Sequence, residues 1–286
     1  MRDILTLLQG EDFASQADLQ TKLDELIARG DLSAKAEALN QDDPKWRAQE
    51  LAYEAMEADD LFEALRLVAE AQKLDPDCTD AQRLMVSLAP MEPESSIKLM
   101  RIVVDKAERN LGEAFFAENT GHFWGVFSTR PYMRAIEALG DLLTNADRLE
   151  DAIAVYERML ELNPNDNQGV RNRLLGLYLA TKQTQAAHGL LSRYADEEKI
   201  SAVFAWGRVI ERWLSDQPAE ARSALLRARN VNRFVEGYLA GARKPPQQLP
   251  STHSIGGDSE AQVAVAELSP ALVRLREFTS WLRERS

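Results

Sequence analysis

Residues 150–166 read EDAIAVYERMLELNPND. Ala152, Tyr156 and Met159 recur at the three- and four-residue steps that place side chains on one face of a helix. Pro164 ends that helix, because proline donates no backbone hydrogen bond and clashes with the preceding turn. Asn165 and Asp166 then stand where a following helix needs a cap. The same spacing occurs upstream around LFEALRLVAEAQKLDPD, residues 61–77: Leu51, Ala52, Ala64, Val68, Ala71 and Pro76 match Leu139, Gly140, Ala152, Tyr156, Met159 and Pro164 one for one. A small residue (Ala52 or Gly140) lets the first helix of a pair approach the second at Ala64 or Ala152, while Val68 or Tyr156 fills the groove to the next helix. The chain therefore repeats a helix-turn-helix unit.

This pattern resembles the tetratricopeptide repeat, whose period is about 34 residues. The resemblance implies an all-α, right-handed helical solenoid whose first helices line a face that binds protein segments, and it brings no catalytic residues with it. Pro76 and Pro164 lie 88 residues apart, and two periods of about 34 leave roughly 20 over, so an insertion is required. It falls at 113–132, where EAFFAENTGHFWGVFSTR breaks helical periodicity with Asn119, Gly121 and Gly125.

The expected organisation is an N-terminal helical extension at 1–44, repeats one and two at 45–112, the insertion, repeats three to five at 133–240, a proline-rich loop at 241–257 and capping helices at 258–286. In the extension, Leu19, Leu23, Leu26 and Ile27 form an amphipathic stripe over 15–29. The second pair is read at 78–89 and 94–111, the fourth at 167–181 and 183–194, and the fifth at 201–214 and 218–229. The last helix is expected to start at Ser269 and Pro270, as cap and first-turn proline, and to cover the open end of the repeats. Longer strings, GHFWGVFSTRPYMRA, LNPNDNQG, FVEGYLAGARKPPQQLP and GGDSEAQVAVAEL, are similar to bacterial tetratricopeptide proteins and, more distantly, to the suppressor-of-tumorigenicity-seven-like family.

Composition narrows the function classes. With 45% hydrophobic and 28% charged residues in 286, the chain can bury a sizeable interior. Cys78 is its one cysteine, which excludes an intrachain disulfide. The opening MRDILTLLQGEDF lacks the layout of a secretory signal, and no run reaches the ~18 apolar residues of a membrane span, so a cytoplasmic protein is expected. Residues 1–100 carry 22 acids and 10 bases, 101–200 carry 15 and 12, and 201–286 carry 9 and 12, for a net charge of -12. Acidity of that kind repels phosphate backbones, so nucleic acid is disfavoured as a partner; Arg222, Arg227, Arg229 and Arg233 form a local basic patch that reads as one solvated helix face.

His122, His188 and His253 share no metal-like spacing with each other or with Cys78, and no catalytic or phosphate-loop motif occurs, so no cofactor, metal or catalytic residue is assigned. Two sets of residues remain as candidates. Counting from the aligned small residues places Arg134, Glu137 and Asp141, then Arg171, Asn172 and Leu175, then Trp206 and Trp213, on a peptide-binding face, where arginine, asparagine and tryptophan suit interface contacts. The competing reading pairs Arg171 with Asp141 and buries both tryptophans. The insertion gathers Phe115, Phe116, Phe123, Trp124, Phe127 and Tyr132, six of the 20 aromatics. These residues either anchor it against the repeats or line a pocket in which His122, Trp124, Arg130 and Tyr132 would sit. The leading expectation is a non-enzymatic adaptor or scaffold for a protein or peptide. The alternatives are an enzyme or enzyme-regulating subunit with a pocket at the insertion, and a homodimer in which the acidic N-terminal third meets the mildly basic C-terminal region head to tail.

Overall fold

The computed structural model describes residues 43–285, and every regular element among them is helical. The extension and its stripe over 15–29 lie outside the described residues. The chain divides into two compact units, with the boundary in the sequence between Leu142 and Leu143.

The described part of the first unit begins with α1 (Pro44–Glu57), whose first turn is capped by the Asp43 carboxylate accepting from the Lys45 N–H at 2.9 Å. Asp60 caps α2 (Leu61–Leu74) in the same way through Glu63 at 2.8 Å. α3 (Thr79–Leu88) and α4 (Pro93–Leu111) form the second pair. α1 packs on α2 and α3, α2 on α3, and α3 on α4, so successive pairs stack. Their core holds Leu51, Ala52, Val68 and Ala71, four of the positions aligned in the sequence, and Ala64 is also buried. The insertion is partly regular: α5 (Glu113–Asn119) and two 3-10 turns (Phe123–Gly125 and Phe127–Thr129) lead into α6 (Arg130–Asn145). Arg130 and Tyr132, expected in the insertion, therefore belong to the first turn of a helix.

The second unit contains α7 (Leu149–Leu162), α8 (Val170–Ala180), α9 (Thr184–Arg193), α10 (Ala202–Leu214), α11 (Pro218–Val231), the short α12 (Val235–Leu239), α13 (Asp258–Arg274) and α14 (Arg276–Arg283). Ala152, Tyr156 and Met159 of α7 are 0%, 0% and 1% exposed, as their aligned spacing requires. The repeat is also written in the backbone. Asp147, Lys182 and Asp216 all have positive φ, 60°, 57° and 53°, at intervals of 35 and 34 residues. Each sits in a tight turn between two helices, where one left-handed residue reverses the chain.

The C-terminal region departs from expectation. Pro270 lies inside α13 instead of at the start of a helix, and the break comes at Leu275, between α13 and α14. The proline removes one backbone hydrogen bond, but α13 packs against α8 and α10, and Leu268 and Ala271 on either side of the proline are buried.

Candidate functional site

In the first unit, a buried polar cluster draws one or two residues from the first helix of each of three successive pairs. Asp80 on α3 is 0% exposed. Its carboxylate accepts from Gln49 on α1 at 2.9 Å, from Nε of Arg134 on α6 at 2.9 Å, and from Arg83 one turn along at 3.4 Å. A second nitrogen of the Arg134 guanidinium also binds Asp80, and the same group stands 5.5 Å from the Tyr53 ring centre. Burial alone would raise the Asp80 carboxyl; hydrogen bonding and charge from Arg134, then Arg83 and Gln49, outweigh it and hold the group below the usual carboxylate range. Arg134, expected to face a peptide, is thus anchored, with its side chain 21% exposed. Glu137 and Asp141 lie half-buried on the same helix. Asp80 and Arg134 are 54 residues apart, so sequence spacing gave no sign of their pairing.

Cys78 lies at the edge of this cluster, 5% exposed. Burial pushes its thiol up to about 11, against the backbone N–H of Ala81 and with Asp80 and Asp75 adding to the rise. Since the thiolate is the reactive form, iodoacetamide at pH 8 should label the folded chain on the order of a hundredfold more slowly than the urea-unfolded chain. Equal rates, read by intact mass, would contradict the burial.

The aromatic insertion packs on itself. Phe123 is 0% exposed, with Phe116 and Tyr132 centred 4.8 Å and 6.1 Å away and Phe115 edge-on at 6.2 Å. Thr129 donates to the Phe123 carbonyl and locks the two 3-10 turns together. Arg130 lies 4.0 Å from the Phe127 ring centre and 5.3 Å from that of Trp124, and its Nε donates to the Trp124 carbonyl at 3.1 Å. His122 is exposed and Tyr132 is 3% exposed. The four residues proposed for a pocket therefore divide between solvent, a cation-aromatic stack and the aromatic core.

In the second unit, the face formed by the first helices α8 and α10 is covered by α13. The contact reaches backbone on backbone: a Cβ placed on Gly176 would stand 2.1 Å from the Glu267 carbonyl oxygen. Ala261, Ala264, Val265, Leu268 and Ala271 are the buried apolar residues of α13. At its N-terminal end, the Glu260 carboxylate accepts from the Ala202 N–H at 2.9 Å, from Asn232 at 2.9 Å and from the Gly256 N–H at 2.7 Å. Ser201, the cap residue of α10, makes no side-chain cap bond, so Glu260 supplies that cap from another helix.

Two of the residues expected on the groove, Leu175 and Trp206, are buried instead, each 0% exposed, and the Trp206 indole donates to the Asn232 carbonyl at 3.0 Å. Trp213 meets Phe278 of α14 edge-on at 5.5 Å. Arg171 binds Asp166 at 3.1 Å and Glu197 at 3.0 Å. Asn172, beside it, is half-buried. α8 and α10 carry apolar residues on nearly every side, which a helix does when packed all round. A second network was missed as well: Arg208, with its side chain 8% exposed, binds Glu198 at 3.0 Å, Glu211 at 3.1 Å and the His188 ring at 3.1 Å. Of the four arginines read as one helix face, Arg233 lies beyond the end of α11, and Arg229 binds Glu236 and the Arg285 carbonyl.

Among the described residues, no group of three or more His, Cys, Asp or Glu is placed to hold a metal ion, and no helix is long and apolar enough to cross a membrane. No curated protein matches the chain. Residues 143–201 match the family model of the tetratricopeptide repeat, a span that contains α7, α8 and α9. A tetratricopeptide repeat at 143–201 thus stands in a chain whose described residues fold into helices alone, the architecture of a helical solenoid.

Proposed function

We propose that this protein is a non-enzymatic adaptor or scaffold that captures a segment of another protein on the face built from the first helices of its repeats. The observation that carries the reading is α13 itself. The α8 and α10 face holds a complete helix by small-residue packing and a capping carboxylate, so surfaces of this construction grip helices. The match at 143–201 supports the same class, because tetratricopeptide repeats are in general protein-interaction modules. In the first unit, Glu137 and Asp141 lie half-buried on α6, the helix that also carries Arg134 of the rigid Asp80–Arg134 cluster. A preformed surface of that kind lowers the ordering cost of binding. The single buried cysteine fits a cytoplasmic location.

Affinity capture from the native cytosol, with proteins identified by mass spectrometry, tests this reading. The intact chain should enrich specific proteins, and reversing charge at both Glu137 and Asp141 should weaken their retention roughly tenfold, about 1.4 kcal/mol. Recovery of the same background by both chains would sink it.

A further inference from the structure

We propose that α13 is an exchangeable occupant of the α8–α10 face, and that the partner this face takes is a helix of the same chemistry: an acidic residue at the first turn, followed by a stripe of alanine, valine and leucine on one side. The inference rests on the adaptor reading and names its ligand class and its regulation. The seat dictates that chemistry. Gly176 brings the α8 backbone against the Glu267 carbonyl, so an incoming helix must lie as close as α13 does. Only small side chains permit that approach, and three of the five buried apolar positions of α13 are alanine. At the far end, the Ala202 N–H and the Asn232 side-chain amide converge on one carboxylate, Glu260, which is 7% exposed. With α13 withdrawn, these donors stand at the N-terminus of α10, where helix dipole and unsatisfied N–H groups favour an acid.

The tether permits exchange. Residues 241–257 form no regular element, carry Pro245, Pro246 and Pro250, and join α12 to α13. These 17 residues reach about 55 Å when extended, whereas α13 is about 25 Å long. The tether is therefore long enough for the C-terminal helices to leave the seat and remain attached. Loops of this length without regular structure are uncommon in compact domains unless they have a role. α14 leaves with α13, giving up the edge contact of Phe278 with Trp213 and the donation from Arg283 to the Ala240 carbonyl at 2.6 Å.

The test uses the full chain with a protease site placed between Pro246 and Pro250, and a fluorescein-labelled peptide of residues 256–286 as probe. After cleavage, the peptide should exchange into the seat, with a rise in anisotropy that unlabelled peptide reverses. The uncut chain should bind it on the order of a hundredfold more weakly, because the tethered helix competes at high effective concentration. A Glu260→Ala peptide should bind at least tenfold more weakly to the cleaved chain, and Gly176→Ala in the chain should weaken binding of the unaltered peptide by at least as much. The peptide variant leaves the chain untouched and so separates recognition from misfolding. No exchange after cleavage, or equal binding of the Glu260→Ala peptide, would overturn the proposal while leaving the adaptor reading to the Glu137 and Asp141 capture. Concentration-dependent doubling of mass by light scattering would overturn the assignment to an external partner, since a second copy would then hold the seat.

Discussion

Replacing Asp80 with alanine should lower the free energy of unfolding by about 3–5 kcal/mol, the range for removing one partner of a buried ion pair. The carboxylate is 0% exposed and serves donors from Gln49, Arg83 and Arg134 at once. Without it, two guanidinium groups with side chains 13% and 21% exposed are left near each other with their counter-charge gone. Asp80→Asn keeps an acceptor and should cost less. The same group gives the chain an acid weakness of known sign. Its folded pKa lies below the ordinary carboxylate value of about 3.9. Its contribution is therefore complete above that value and is lost as pH falls through the folded pKa. Urea unfolding followed by far-UV circular dichroism at pH 7 and pH 3 should show a smaller acid-induced loss in Asp80→Asn than in the parent chain. A cost below about 1 kcal/mol for Asp80→Ala would mean that the cluster is not a structural hub.

The helix pairs were legible because each aligned position has one physical job. Ala52, Ala64, Ala71, Ala152 and Tyr156 sit at close helix contacts, and all are buried. The left-handed turn residues were not legible. Aspartate and lysine at Asp147, Lys182 and Asp216 carry no glycine signature, although their spacing repeats the period. Leu175 and Trp206, expected on the groove, are buried for a reason present in the sequence. LLGLYLA at 174–180 has no charged residue, and AVFAWGRVI at 202–210 has Arg208 alone. A helix of that kind has no side to leave open, so something in the chain had to cover it. That cover is α13, whose alanines look too small for a core helix until the Gly176 contact explains them. The pairing of Arg134 was not legible, because its partner Asp80 comes from a different pair of helices.

Phe123→Ala should cost about 3–5 kcal/mol and should tell apart the two roles considered for the insertion. If the aromatics are packing, the loss follows from removing a ring that is 0% exposed and centred 4.8 Å and 6.1 Å from Phe116 and Tyr132. The cavity left behind would sit between α5 and the first turn of α6, and the 3-10 turns fastened by Thr129 cannot move in to fill it without breaking that bond. His122→Ala, at an exposed position, should then stay within about 0.5 kcal/mol of the parent chain. If the rings instead lined a ligand pocket, truncating Phe123 would enlarge an existing space at little cost, since pocket walls are not close-packed on the open side. Chemical denaturation of the two variants beside the parent decides the matter. A large loss at Phe123 with none at His122 marks an anchor that sets the start of α6, and with it the position of Arg134 against Asp80.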